Sequence, residues 1–206
     1  MQASELFNQP NTILLDGGMG TMLQAAGMKL GTRPEDLNIE NPELIRSIHA
    51  KYAAAGSRVV NANTFGASPH KLADSKYTLE EIITAGIANC KQAVAPYGAL
   101  VTLDVGPLGE LLEPSGTLAF EDAVAEYGRI VRAGVAAGAD ILYFETFTDL
   151  YEMKAALLAA KENSTLPIMA SMSFEANGRT FTGCTVESFA ATARGLGANA
   201  VGINCS

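Results

Sequence analysis

The chain has 206 residues, 48% of them hydrophobic and 17% charged, a make-up that fits a packed globular protein and argues against disorder. A net charge of -8 offers nucleic acid no basic face, and no apolar run approaches the roughly 18 residues of a membrane-spanning helix. The opening "MQASELFNQPNT" lacks the basic and apolar regions of a signal peptide, so Cys90, Cys184 and Cys205 are expected as reduced thiols in the cytoplasm.

Taken in chain order, the first predicted strand is "TILLDG". After it comes "NPELIRSIHAKYAAAG", a helix with Asn41 as N-cap and Pro42 at its first position. The strand "SRVVNANTF" leads into the helix "TLEEIITAGIANCKQAV", and the strand "ALVTLDV" leads through a Gly/Pro-rich loop into "AFEDAVAEYGRIVRAGVAAG". "DILYFETF" precedes the helix "DLYEMKAALLAAKEN", "PIMASMSF" precedes "TVESFAATARGLG", and "NAVGINC" closes the series. The strands are apolar rather than alternating, the pattern of parallel strands covered by helices. Each interval is long enough for one helical crossover.

A register repeats along this series. Gly56, Gly138 and Gly197 each end a helix, where glycine takes the left-handed cap conformation. Asn63, Glu145 and Asn204 follow at the same interval, and Asp16, Asp104 and Ser171 close the other strands. Strands that are apolar along their length and polar at their C-terminal ends present those ends to a ligand. The first turn, "DGGMGT", lacks the spacing of a dinucleotide-binding loop, and no G-K-[ST] phosphate loop occurs. The expected fold class is therefore α/β, a (β/α)8 TIM barrel. Such a barrel takes eight strands and about 250 residues. With six strands legible, residues 1–206 read as one partial barrel domain lacking about the last two βα units.

Asp16 and Glu145 are the first candidates for chemistry. Carboxylates at a barrel mouth can fix an ammonium group, act as acid and base, or bind a metal, and they can equally cap neighbouring backbone. Asn63 and Asn204 carry both donor and acceptor, which suits an amino-acid head group or a turn that satisfies its own backbone. His49 and His70 have no partner at metal spacing, Cys90 reads as a helix-face core thiol, and nothing beside Cys184 would activate it. Cys205 differs by its place at the end of the sixth strand, on the same mouth as the two carboxylates.

The segments "LLDGGMGTMLQ", "RPEDLNIENPELIRSIHAKYAAAGSRVVNANTFGAS", "GPLGELLEPSGTL", "DILYFETFTDLYEMKAAL" and "VGINCS" together resemble the homocysteine-binding domain of the homocysteine S-methyltransferases. Its "NTFGAS" and "GPLGELL" stretches look most like the cobalamin-dependent branch. The resemblance implies an eight-stranded barrel and a zinc ion held by three cysteines. Cys205 matches the first of these cysteines, and the later adjacent pair matches nothing before Ser206. It also implies substrate binding by Asp16 and Gly17 of "DGGMG", Asn63 of "NTF" and Glu145 of "FET". The activity implied is zinc-dependent methylation of homocysteine to methionine. The donor is expected to be methylcobalamin on a corrinoid module, with folate on another, and S-methylmethionine or betaine as alternative donors. Alone, the chain is expected to hold little zinc, to transfer no methyl group and to self-associate. Two other readings stay open: a barrel lyase or hydrolase using Asp16 and Glu145, and a non-enzymatic partial barrel that binds a partner chain.

Overall fold

The computed structural model describes residues 3–29 and 31–206. Its elements run α1 (Ala3–Leu6), α2 (Met19–Ala25), α3 (Leu37–Glu40), α4 (Pro42–Ala54), β1 (Val59–Asn61), α5 (Leu79–Val94) and β2 (Leu100–Val105). They continue with α6 (Phe120–Ala136), β3 (Ile141–Phe147), α7 (Leu150–Asn163), β4 (Ile168–Met172), α8 (Val186–Gly195) and β5 (Ala200–Ile203). The helices begin where the sequence supplies a cap. Asn41 accepts from Leu44 N with Pro42 behind it, Thr78 and Glu81 close a reciprocal capping box, and Asp149 and Thr185 cap α7 and α8. Among the described residues no helix is long and apolar enough to cross a membrane.

The five strands form one parallel sheet in the order β1-β2-β3-β4-β5. The order never reverses, so there is no switch point of the kind at which doubly wound sheets bind ligands. The expected first strand is reduced to a parallel bridge between Leu15 and Val59. Arg58 N and Val59 N both donate to Leu14 O, and Asp16 N donates to Val59 O. With a neighbour on one side only, those bonds fix the segment beside β1 without building a ladder. The second expected strand is shorter than read, because the chain turns after Asn61, with Thr64 N donating to Ala62 O at 2.8 Å.

Period-two alternation explains why the strands read as unbroken apolar runs. One side of each strand packs on the helices: Val60, Val101, Leu103, Leu142, Phe144 and Ala170 belong to the main core. The other side carries Val59, Leu100, Ile141, Tyr143 and Met169, a second cluster closed from below by Leu6 of α1. In β1 to β4 both faces are largely buried, so neither needs polar residues until the strand ends, whereas the edge strand β5 is exposed. On the helix side Phe144 lies edge-on to Tyr127 and Phe147, at ring separations of 6.2 and 6.4 Å. Truncating so fully buried a ring to alanine costs about 3–5 kcal/mol.

Candidate functional site

Along its second face the sheet turns from apolar to polar toward the C-terminal strand ends. Above Leu100 stands Thr102, whose hydroxyl donates to Asn61 Oδ1, and the Tyr143 hydroxyl lies 3.0 Å from Ser171 Oγ. The next layer carries Asp16, Asp104, Glu145 and Asn204, and beside them the chain opens into a cavity of about 350 Å³. Gly56, Gly138 and Gly197 hold φ of 110°, 87° and 89°, so the left-handed caps that set this register are in place.

Asp16, Gly17, Asn63, Glu145 and Cys205 all line the cavity. Asp104, recognised in the sequence as a polar strand end but not as a site residue, lines it too. Its signal was its position, two residues short of the loop after β2. Asp16 Oδ2 accepts from Asn61 N at 3.0 Å, while Asp16 Oδ1 and Asp104 Oδ1 are buried without any partner. Burial first, and then the Glu145 charge, push the Asp16 carboxyl up to about 7 against the pull of the Asn61 N–H. Burial also raises Glu145, with the nearby Tyr143 hydroxyl pulling the other way. Asp104 is raised well above the carboxylate range, by burial and then by the charges of Glu145, Asp16 and Glu35. Among the described residues no Lys, Arg or His lines the cavity. The site is a pocket of buried acids, each pushed toward its neutral form, with no basic side chain in its lining to hold them ionised.

Gly17 is small for a reason outside the ligand: a Cβ there would sit 2.9 Å from the Tyr52 hydroxyl, which itself donates to Gly18 O. Asn63 spends both amide hydrogens on the scaffold, donating to Pro34 O at 2.7 Å and Asn38 Oδ1 at 3.0 Å. Only its carbonyl oxygen is left to face a ligand. Asn204 acts as a bracket. Its amide nitrogen donates to Glu145 Oε2 at 3.1 Å and Thr146 Oγ1 at 2.7 Å, and its Oδ1 accepts from Thr146 N and Ser171 Oγ. Within that bracket Thr146 and Cys205 hold φ of 63° and 52°. A β-branched residue there is strained and persists only where its surroundings impose it.

Cys205 is exposed at the rim, its Sγ 3.8 Å from Thr146 Oγ1 and 3.7 Å from Asn204 Nδ2. It is a soft donor suited to zinc, but zinc takes three or four protein ligands. Among the described residues no group of three or more His, Cys, Asp or Glu is arranged to hold a metal ion. The donors present fit one corner of a thiolate site. A larger open cleft of about 590 Å³ lies by Leu112, Tyr151, Lys154 and Cys184, away from every carboxylate of the cluster. Buried carboxyl groups with unpartnered oxygens and no basic neighbour make the smaller cavity the candidate site.

Residues 13–206 match the family model of homocysteine S-methyltransferase. The chain belongs to that family. It is 28% identical over 209 residues to a methionine synthase of Mycobacterium tuberculosis, a match covering 93% of this chain and 17% of that relative. Its fold is similar to the crystal structure of the homocysteine methyltransferase MmuM from Escherichia coli in metallated form. There the identity is 25% and the TM-score 0.86, covering 98% of this chain and 77% of the other. The oxidized form of MmuM superposes as well, with 26% identity and a TM-score of 0.87 over 97% of this chain and 75% of that one. The resemblance read from "DGGMG", "NTF", "FET" and "GINC" thus extends to the family and to the parallel α/β sheet.

Proposed function

We propose that this chain is the homocysteine-binding part of a methyltransferase that converts homocysteine to methionine, built on a (β/α)8 barrel of which residues 1–206 supply the first six strand positions. The observation that carries the reading is the cavity at the strand ends, where buried carboxylates without a counter-ion lie beside the Cys205 thiol. Homocysteine brings the complement, an ammonium for the acids and a sulfur for the rim. Asp16 and Glu145 pair with the ammonium, and the Gly17 backbone, kept bare by Tyr52, receives the substrate's carboxylate. Asn63 holds the wall that carries Pro34. Cys205 supplies one thiolate to zinc, and the reading requires further thiolates from outside residues 1–206. When bound, zinc supplies the deprotonated form of the substrate thiol, the form that is nucleophilic.

The chain's own residues orient that sulfur. Asn204 ties the Glu145 carboxylate to the backbone of Thr146 and stands beside Cys205, so head group and sulfur are referred to one bracket. The Cys205 thiol beside that bracket favours methyl transfer over a lyase or hydrolase reaction run by the carboxylates alone, which would have no use for it. We assign methylcobalamin as the donor and corrinoid- and folate-binding modules as partners, on the likeness to the methionine synthase, of which the chain spans 17%. The unpaired thiols fit a cytoplasmic location. Calorimetric titration of the chain with L-homocysteine, L-homoserine and L-2-aminobutyrate tests the reading. All three should bind the chain through their ammonium, and in an assembled enzyme that supplies the further thiolates, added Zn²⁺ should favour homocysteine over the two analogues that lack sulfur. Equal binding of all three in that assembled enzyme with Zn²⁺ present would remove the sulfur from the recognition. In an assembled enzyme, comparison of methylcobalamin, S-methylmethionine and betaine then identifies the donor.

A further inference from the structure

Ser171 is the polar residue of β4, a strand otherwise made of Ile168, Met169, Ala170 and Met172, and it is 2% exposed. It does not line the cavity. Buried side-chain hydroxyls mostly bond to the main chain. Ser171 bonds instead to two side chains: its Oγ lies 2.9 Å from Asn204 Oδ1 and 3.0 Å from the Tyr143 hydroxyl. The protons can be placed. Thr146 N donates to Asn204 Oδ1 at 3.1 Å, so that atom is the amide oxygen, which only accepts. Ser171 therefore spends its single proton on Asn204, and Tyr143 donates in the other contact. With Oδ1 held by two donors, Asn204 turns Nδ2 to Thr146 Oγ1 at 2.7 Å, Glu145 Oε2 at 3.1 Å and Cys205 Sγ at 3.7 Å. Half a turn of the amide would exchange its ends. It would set an oxygen against a carboxylate and a sulfur, both acceptors, and an NH₂ group against the Thr146 N–H, a donor.

We propose that Ser171 is a positioning residue: its hydroxyl, donating to Asn204 Oδ1, locks that amide in the orientation that presents N–H groups to Glu145 and to the Cys205 thiol. The inference rests on the reading of the cavity as the homocysteine site and adds to it a residue that never meets the substrate. Glu145 serves the head group and Cys205 the sulfur, so one buried hydroxyl governs both through Asn204. Released from it, Asn204 would leave Glu145 without its donor. Thr146 and Cys205, at φ of 63° and 52°, would lose the group that bridges them. An effect that passes through a single residue vanishes when that residue is removed. A serine that merely packed in β4 would act the same with or without Asn204.

The test is calorimetric titration of the intact chain and of Ser171→Ala, Ser171→Thr, Asn204→Ala and the double variant Ser171→Ala/Asn204→Ala. The probes are L-homocysteine and the thiol-free L-2-aminobutyrate. Ser171→Ala should weaken both about two- to tenfold, the worth of one neutral hydrogen bond. Ser171→Thr keeps the hydroxyl and should restore the affinity. On top of Asn204→Ala, the loss of the Ser171 hydroxyl should cost nothing more. Cooperative thermal melts would show that each variant folds. Full affinity in Ser171→Ala, or losses that multiply in the double variant, would overturn the proposal while leaving the homocysteine reading standing. If neither amino acid binds the unaltered chain, the homocysteine reading falls, and NMR of the Asn204 side-chain amide decides the proposal. That signal is identified by its loss in Asn204→Ala. A signal that broadens or doubles in Ser171→Ala and sharpens again in Ser171→Thr supports the lock, and a single sharp signal in Ser171→Ala overturns it.

Discussion

Replacing Asp16 by asparagine should make the ligand-free protein more stable and the enzyme worse. Burial pushes the Asp16 carboxyl up to about 7 from the ordinary 3.8, a rise of about three pH units. Each unit is worth about 1.4 kcal/mol, so ionising Asp16 in the folded state costs about 4 kcal/mol more than in the unfolded chain. Because the folded value is the higher one, the contribution is fully present below pH 3.8, is lost as the pH rises through 7, and stays lost above it. Asparagine is neutral throughout and can still accept from Asn61 N through Oδ1. Its amide group takes over the unpartnered position of Asp16 Oδ1, which returns part of the gain. The net expectation at pH 8 is a stabilisation of about 2–3 kcal/mol, or roughly 4–12 °C in Tm for a chain of this size. Paired thermal melts of Asp16→Asn and the unaltered chain between pH 5 and 8.5 would read it. The gap should open through pH 7, and homocysteine affinity should fall in the same variant. Equal melting temperatures at pH 8, or a constant gap at every pH, would refute the electrostatic argument.

Glu145→Gln should weaken homocysteine binding roughly ten- to a hundredfold while leaving zinc content unchanged in an assembled enzyme, read by calorimetry and metal analysis. Loss of zinc instead would make Glu145 a ligand. His49 is buried with neither ring nitrogen partnered, and burial lowers it to about 4. Stability present above the unfolded value of 6.5 should therefore be lost as the pH falls toward 4, by about 3 kcal/mol, and His49→Leu should remove that acid limb from denaturant midpoints. The 206-residue chain should retain well under one zinc per molecule, since Cys205 is the thiol at the cavity; stoichiometric zinc in the purified monomer would contradict this. Val201 and Ile203 of the edge strand β5 and Leu14 at the opposite edge are 44%, 54% and 57% exposed. Light scattering should find self-association, and Val201→Lys should reduce it.

The fold was legible where local chemistry and global architecture agree. Asn41-Pro42 and the glycine caps each announce one helix end, and each stands where it was expected. Buried-on-both-faces strands betray themselves as apolar runs, so five of the six were found. The first was over-read because "TILLDG" has strand composition but only β1 to pair with, and pairing is a property of the neighbours. The short helices α1, α2 and α3 were missed: each has seven residues or fewer, too few for a helical period to declare itself. In the site, the position of Asp16 and Glu145 followed from the strand ends. The place of Asn63 followed too, but not its bonding, because nothing in "NTF" reveals that Pro34 and Asn38, far back in the chain, take its amide hydrogens. Asp104 was visible as a polar strand end, but its lack of a partner is a fact of three dimensions.

The cost of this arrangement falls in one layer of the sheet. Below it, Val59, Leu100, Ile141 and Met169 bury apolar surface and stabilise the fold. Above it stand three acids that repel one another, left-handed non-glycine residues at Thr146 in β3 and Cys205 after β5, and two carboxylate oxygens with nothing to bond. Each feature is destabilising alone, and the acids and their unpartnered oxygens would be relieved by a single event. A bound ammonium neutralises the acids, gives the orphaned oxygens their donors and lowers the carboxyl pKa values toward the ordinary range. On the proposed reading, substrate binding returns free energy at these acids, and the Thr146–Asn204–Cys205 bracket holds the thiol in register with the head group. A more comfortable site, with a lysine among the acids, would be more stable and would have no reason to bind an amino acid.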